Sequence, residues 1–268
     1  MSGASARQLG RGPFTASSVP EGAPYEISDG HAILCMPTGG RGARANLVGG
    51  AVLETDPLVT EAGVDVGYSS EPHQLRAPDV AVGNVPDAPS WVRGVPPLAV
   101  EYADRGQDED DLEKKIRELL TAGTKWIWVV RLAGPRRVDV HQAGVPVRLV
   151  RPGEFLEAPG ILKNPVSVES LYDADAAHDA MLRNLIQRKG YESLDAALDQ
   201  ATEKGLDQGR TGAARDLFLR RLGRAPREAE TRKLEERLTT IGADAVQDAA
   251  AESKGEALAA WLEGDITG

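Results

Sequence analysis

Between Pro96 and Leu132 the chain passes from one apolar segment, PPLAVEY, through DEDDLEKKIRELLTAG, to a second apolar segment, KWIWVVRL. The two apolar segments are bounded by Gly and Pro and read as strands. The middle segment repeats apolar residues at helical spacing, crowds acids into its first turn and ends on Gly123, so it reads as a helix with its stop. A strand, a crossing helix and a second strand restrict the chain to a layered sheet-and-helix fold, α/β or α+β. Other segments fit that architecture. YEISDGHAILCM reads as a hairpin turning at Asp29-Gly30. DVAV, RRVDVHQ and VPVRLV read as strands. ARANLVGGAVLE reads as a helix with Leu47 and Ala51 one turn apart, weakened by its two glycines.

The punctuation changes along the chain. Residues 1–24, rich in Gly, Ser and Pro, suggest a flexible arm without the apolar core of a secretion signal. Residues 25–163 carry the strands. From Asn164-Pro165 onward glycine thins and the pattern becomes helical, so residues 164–268 are expected to form an all-helical extension. Its helix candidates are LYDADAAHDAMLRNLIQRK, SLDAALDQATEKG, AARDLFLRRLG, EAETRKLEERLTTIG and KGEALAAWLEG. Apolar residues make up 41% of the 268, enough for a packed core. The net charge of −10 argues against a broad nucleic-acid-coating surface, though not against carboxylates that hold metal ions. Cys35 is the single cysteine, which excludes an internal disulfide and fits a reducing compartment. No apolar run reaches the roughly 18 residues of a membrane span. The expectation is a cytoplasmic protein.

On a helical wheel, Leu112, Ile116, Leu119 and Leu120 define the buried stripe of the helix. Lys115 sits at the border of that stripe, and Lys114 points nearly opposite. In PLAVEY, Glu101 shares its face with Ala99 and Ala103; in DVAV, Asp79 shares its face with Ala81. Small neighbours leave room beside each carboxylate. Two carboxylates on adjacent strands with an ammonium from the next helix could hold a hard cation, activate water and offset charge on a phosphorane. The same residues also permit a solvated acid at a strand rim and a lysine that snorkels from an amphipathic helix.

Several blocks, in order, resemble the Uma-two-type family of putative restriction endonucleases, within the PD-(D/E)XK nuclease superfamily. YEISDGHAILCMPTGG is similar to the family's entry hairpin, RAPDVAV to its Arg-x-Pro-Asp-Val strand, and VEYADRGQDEDDLEKK to its strand glutamate, polar loop and helix lysine. AGTKWIWVV followed by RRVDVHQ is similar to its Trp strand and final hairpin. The likeness spans roughly residues 25–158. It implies a restriction-endonuclease-like central mixed sheet flanked by helices and a magnesium- or manganese-dependent cleavage of DNA, with RNA also permitted. It implies Asp79 and Glu101 as metal ligands and Lys115 as the catalytic lysine, moved to the helix because Ala103 stands at the superfamily's usual lysine position. The Tyr102 backbone carbonyl and Glu26 are further candidate ligands. Arg41, Asp104, Arg131 and Leu119 depart from the family's usual histidine, serine, acid and tyrosine. An alternative follows from these departures: a catalytically degenerate nuclease fold that binds or assembles, forming a homodimer or higher oligomer through its C-terminal helices.

Other signals carry less. PTGGRGARAN lacks the Gly-Lys-Ser/Thr ending of a nucleotide loop, and the four histidines show no zinc spacing. Trp126 and Trp128 share a strand face and read as packing. Residues 210–237 hold nine basic and five acidic residues. Arg220, Arg221, Arg224 and Arg227 there read as a solvated helix face or a self-association surface rather than a DNA contact.

Overall fold

The computed structural model describes residues 11–106 and 108–264. The chain divides into two compact units, Met1–Tyr191 and Glu192–Gly268. The first contains strands β1 (Tyr25–Ser28), β2 (His31–Leu34), β3 (Ala62–Val64), β4 (Tyr68–Ser69), β5 (Val80–Val82), β6 (Val92–Arg93), β7 (Leu98–Ala103), β8 (Trp126–Arg131), β9 (Arg137–Gln142), β10 (Val145–Val150), β11 (Phe155–Leu156) and β12 (Val166–Ser167). Its helices are α1 (Gly40–Glu54), α2 (Glu109–Ala122) and α3 (Ala174–Arg188). The second unit holds α4 (Leu194–Leu222), α5 (Glu228–Thr240), α6 (Gly242–Glu252) and α7 (Gly255–Glu263). No helix among the described residues is long and apolar enough to cross a membrane.

The central sheet has six strands in the order β10-β9-β8-β7-β5-β3. It is mixed: β7 and β8 are parallel, as a helical crossover requires, and the other pairs are antiparallel. All six residues of β7 are buried, because helices cover both faces. Leu98, Val100 and Tyr102 face the layer of α1 and α3 with Ala45, Val52, Leu53, Leu171 and Ala177. Ala99 and Ala103 face α2 with Leu112, Ile116 and Leu119. The first turn of α2 is capped by the Asp108 carboxylate, which accepts from Asp111 N at 3.1 Å. Its end is closed by Gly123 in the left-handed region, φ 116°. Asp29 and Gly30, φ 48° and 76°, make the tight turn of the β1–β2 hairpin.

Several expectations need correction. Residues 1–10 of the expected arm lie outside the described residues. Within 11–24 the chain is packed: Ala16 and Val19 join a cluster with Ile27 and Leu75, and Trp91 Nε1 donates to the carbonyls of Ala16 and Val19 at 3.1 and 3.2 Å. Helix α1 starts earlier than ARANLVGGAVLE, at Gly40, and Leu47 is 71% exposed. The helix buries Ala45, Gly49, Val52 and Leu53 instead. Gly49 sits in that face because a Cβ there would lie 1.9 Å from Tyr102 Oη. The first compact unit runs on to Tyr191, because polar contacts tie the segment after Asn164 to the end of α1. The Asp56 carboxylate accepts from Lys163 N and Asn164 N at 2.8 and 2.9 Å. Arg188 on α3 donates to the carbonyls of Asp56 and Val59.

In the second unit, two of the expected helices are one. SLDAALDQATEKG and AARDLFLRRLG fuse into the 29-residue α4, with Gly205, Gly209 and Gly212 inside it. Helix α6 was not expected. Its buried residues, Val246, Ala249 and Ala250, are too small to give a strong apolar period. The unit's core joins Ala214 and Phe218 of α4 to Leu234, Val246, Leu258 and Leu262.

Candidate active site at the end of strand β7

The β5–β7 register pairs Val80 with Val100 and Ala81 with Ala99. The next step of that register sets Asp79 opposite Glu101. Asp79 Oδ2 accepts from Tyr102 N at 2.6 Å, which fixes the carboxylate against the strand. Ala99 and Ala103 flank Glu101 on the α2 face, and α2 lays Lys115 over it. Lys115 Nζ lies 2.8 Å from Glu101 Oε1 and 3.0 Å from Glu26 Oε1. It donates to Glu101 Oε2 at 3.1 Å and to the Ala77 carbonyl at 2.7 Å. Oε1 of Glu101 therefore has an ion-pair contact but no hydrogen bond, although it is buried. Lys114 stays at the rim, 3.0 Å from Asp29.

Behind this group lies a second row of charges that the sequence did not announce as a unit. Arg76, 2% exposed, donates from Nη1 to Glu26 Oε2 at 2.8 Å and from Nε to Glu118 Oε2. Ser28 Oγ donates to the other Glu118 oxygen at 2.5 Å. The network runs Ser28–Glu118–Arg76–Glu26–Lys115–Glu101 and links β1, the segment before β5, β7 and α2. The one local hint was the arginine in RAPDVAV, a charge at the mouth of an apolar strand. Nothing marked Glu118.

Charge balance sets the ionisation. Burial pushes the Glu101 carboxyl up to about 8; Lys115 opposes this, and Asp79 and Glu26 reinforce it. Burial also raises Asp79. For Glu26, burial raises the pKa, but Lys115 and Arg76 together outweigh it and leave the group lowered. Burial disfavours the charged form of Lys115, yet three surrounding carboxylates hold its pKa above the ordinary value. Glu26 is also matched by Arg76, but Asp79 and Glu101 have only the Lys115 ammonium between them, so that end of the cluster is short of positive charge.

The donor set fits a hard divalent cation better than zinc. Among the described residues no three or more His, Cys, Asp or Glu side chains form a metal-holding group. The available oxygens are the Asp79 and Glu101 carboxylates and one peptide carbonyl. Tyr102 N points to Asp79, and Ala103 O accepts from Leu132 N past the end of β8. Strand carbonyls alternate in direction, so the Tyr102 carbonyl faces the Asp79 side. A cation that keeps several waters needs no more. Glu26 is held by Lys115 and Arg76.

The departures from the family pattern are structurally accounted for. Arg41 and Asp104 pair with each other. Arg131 bridges Glu109 and Asp139 at 2.6 and 2.8 Å, and Leu119 is buried on the face of α2 that packs on the sheet. In the second unit, Arg221 donates to the Ala250 carbonyl and Arg224 pairs with Glu230 and Glu256. Those arginines tie helices together.

Comparison with known proteins identifies the family and the fold. Residues 14–168 match a family described as Uma2, putative restriction endonuclease. A crystal structure of a putative nuclease belonging to DUF820 from Anabaena variabilis ATCC 29413 superposes with a TM-score of 0.53 at 16% identity, over 62% of this chain and 99% of that one. That likeness is one of fold. No curated protein matches.

Proposed function

Since this chain belongs to the Uma2 family of putative restriction endonucleases, we propose that it is a metal-dependent endonuclease that hydrolyses DNA phosphodiester bonds. The observation that carries the reading is the convergence of Asp79, Glu101 and Lys115 at the end of β7. Asp79, Glu101 and the Tyr102 carbonyl would hold magnesium or manganese. A cation bound there polarises a phosphodiester and lowers the pKa of a bound water. Lys115 offsets charge that develops on the phosphorane and helps orient the attacking water. Glu26 and the Ala77 carbonyl keep the ammonium in place when Glu101 turns to another partner, and Arg76 keeps Glu26 in place.

Purified protein incubated with plasmid DNA and magnesium is expected to cut it. Asp79→Ala, Glu101→Ala and Lys115→Ala are each expected to lower the rate at least about a hundredfold. Equal cleavage by these variants refutes the assignment. An RNA substrate run in parallel decides between the two nucleic acids.

One observation favours a second reading, a non-catalytic module. Lys115 is fully engaged by Glu26, Glu101 and Ala77, as a purely structural lysine would be. Manganese titration by calorimetry separates the two: binding that Glu101→Ala abolishes counts against the structural module. Self-association through the C-terminal helices belongs to both readings, and light scattering after size exclusion measures it.

A further inference from the structure

A cleft of about 670 Å³ opens in the first unit beyond the ends of β7 and β8. Arg41 and Arg44 line it from the first turns of α1, Leu132 and Arg136 from the β8–β9 hairpin, and Tyr172 and Asp175 from the start of α3. Arg136 stacks over the Tyr172 ring at 4.2 Å, which holds its guanidinium without spending its hydrogen-bond donors. Among the described residues, neither Arg44 nor Arg136 takes part in an ion pair. Three arginines near the site are matched, Arg41 with Asp104, Arg76 with Glu26 and Glu118, and Arg131 with Glu109 and Asp139. What sets Arg44 and Arg136 apart from other unmatched arginines is that both line one cleft, in a chain of net charge −10.

The cleft opens near the end of the strand that carries Glu101, on the α1–α3 side of the sheet, whereas Glu101 itself faces α2. Arg41 pairs with Asp104, which lies three residues beyond Glu101 and so about 10 Å along the strand direction. Of the carboxylates at the cleft, Asp173 is spent on α3, where Oδ1 accepts from Asp175 N and Ala176 N. Asp175 keeps the cleft from being broadly basic, so it suits a local contact rather than a coating surface.

We propose that this cleft seats the phosphodiester backbone of the substrate strand beside the bond to be cut, with Arg44 and Arg136 on its phosphates. The proposal rests on the nuclease reading above and adds where the flanking strand runs.

The test is the affinity for a fluorescein-labelled DNA duplex, measured by anisotropy at 50 and 200 mM salt with chelator present to prevent cleavage. Two phosphate contacts contribute about 1.8 to the slope of log affinity against log salt. Wild type is therefore expected to lose about tenfold more affinity over that range than Arg44→Ala/Arg136→Ala. The charge-matched control Arg117→Ala/Arg148→Ala, on exposed residues of α2 and β10, is expected to keep the wild-type slope. Arg44→Glu alone, at an exposed position, keeps the test decisive if loss of the Arg136–Tyr172 stack disturbs α3. An unchanged slope in the cleft variants, or an equal drop in the control, overturns the proposal and leaves the nuclease reading standing. Failure of wild type to bind DNA at either salt removes both.

Discussion

Glu101 in the first unit and Glu230 in the second are both buried, 7% and 4% exposed, and both face a cation. Their ionisation moves in opposite directions. Glu101 is pushed up to about 8 by burial among other acids. Glu230 is drawn down to about 2, foremost by its hydrogen bonds from Arg224, with the Arg227 backbone N–H adding to them. The ratio of acids to cations separates them. Around Glu230 two arginines, Arg224 and Arg227, face two acids, Glu230 and Glu256, and the charge is settled, which suits a helix start. Around Lys115 and Arg76 four carboxylates, Asp79, Glu26, Glu101 and Glu118, share two cations, and that deficit is what an incoming cation would relieve.

The largest effect should come from deepening the deficit. Lys115→Met leaves Glu26 and Glu101 buried without their shared partner and is expected to cost about 3–5 kcal/mol in urea unfolding. The fluorescence of Trp126 and Trp128, both in the first unit, reports it. A loss near zero would mean that the carboxylates were never charged together.

The next contrast is in pH. Between about 4.5 and about 8 the folded chain retains a proton on Glu101 that the unfolded chain has released. Its contribution to stability is therefore present at the acid end and is lost as pH rises through that window. For Glu230 the sign reverses: the contribution is present above about 4.5 and is lost as pH falls towards about 2. Melting curves across pH in chelator should show wild type minus Glu101→Gln falling with pH, and wild type minus Glu230→Gln rising with it. At pH 7, Glu230→Gln alone should lower the melting of the second unit, followed by Trp261, by a few degrees. The smallest effect tests the neighbouring lysines. Lys114→Met removes a rim pair with Asp29 and a longer one with Glu118 and should shift the midpoint by less than about 2 °C.

The strands, α2 and the place of Lys115 were legible because each rests on a local period. Alternation put Glu101 between two alanines, and the 3.6-residue repeat put Lys115, not Lys114, at the stripe's border. The network behind them was not legible, because Arg76 meets Glu26 and Glu118 from 50 and 42 residues away and no local pattern encodes such a meeting. Helix α6 escaped notice because alanines bury little surface. The glycines of α4 imitate a break that the helix does not make. The boundary after Tyr191 depends on Asp56, which gathers a segment more than a hundred residues downstream.

Tyr102 belongs to two layers at once. Its hydroxyl donates to the Leu171 carbonyl at 3.0 Å on the α1 side, against Gly49, while its amide grips Asp79. One peptide unit thus acts as a lever through the thickness of the sheet. A methyl group added at Gly49 would push the ring, tilt the strand and disturb a carboxylate on which the proposed chemistry depends, so mutational damage to that chemistry can originate on the opposite side of the protein.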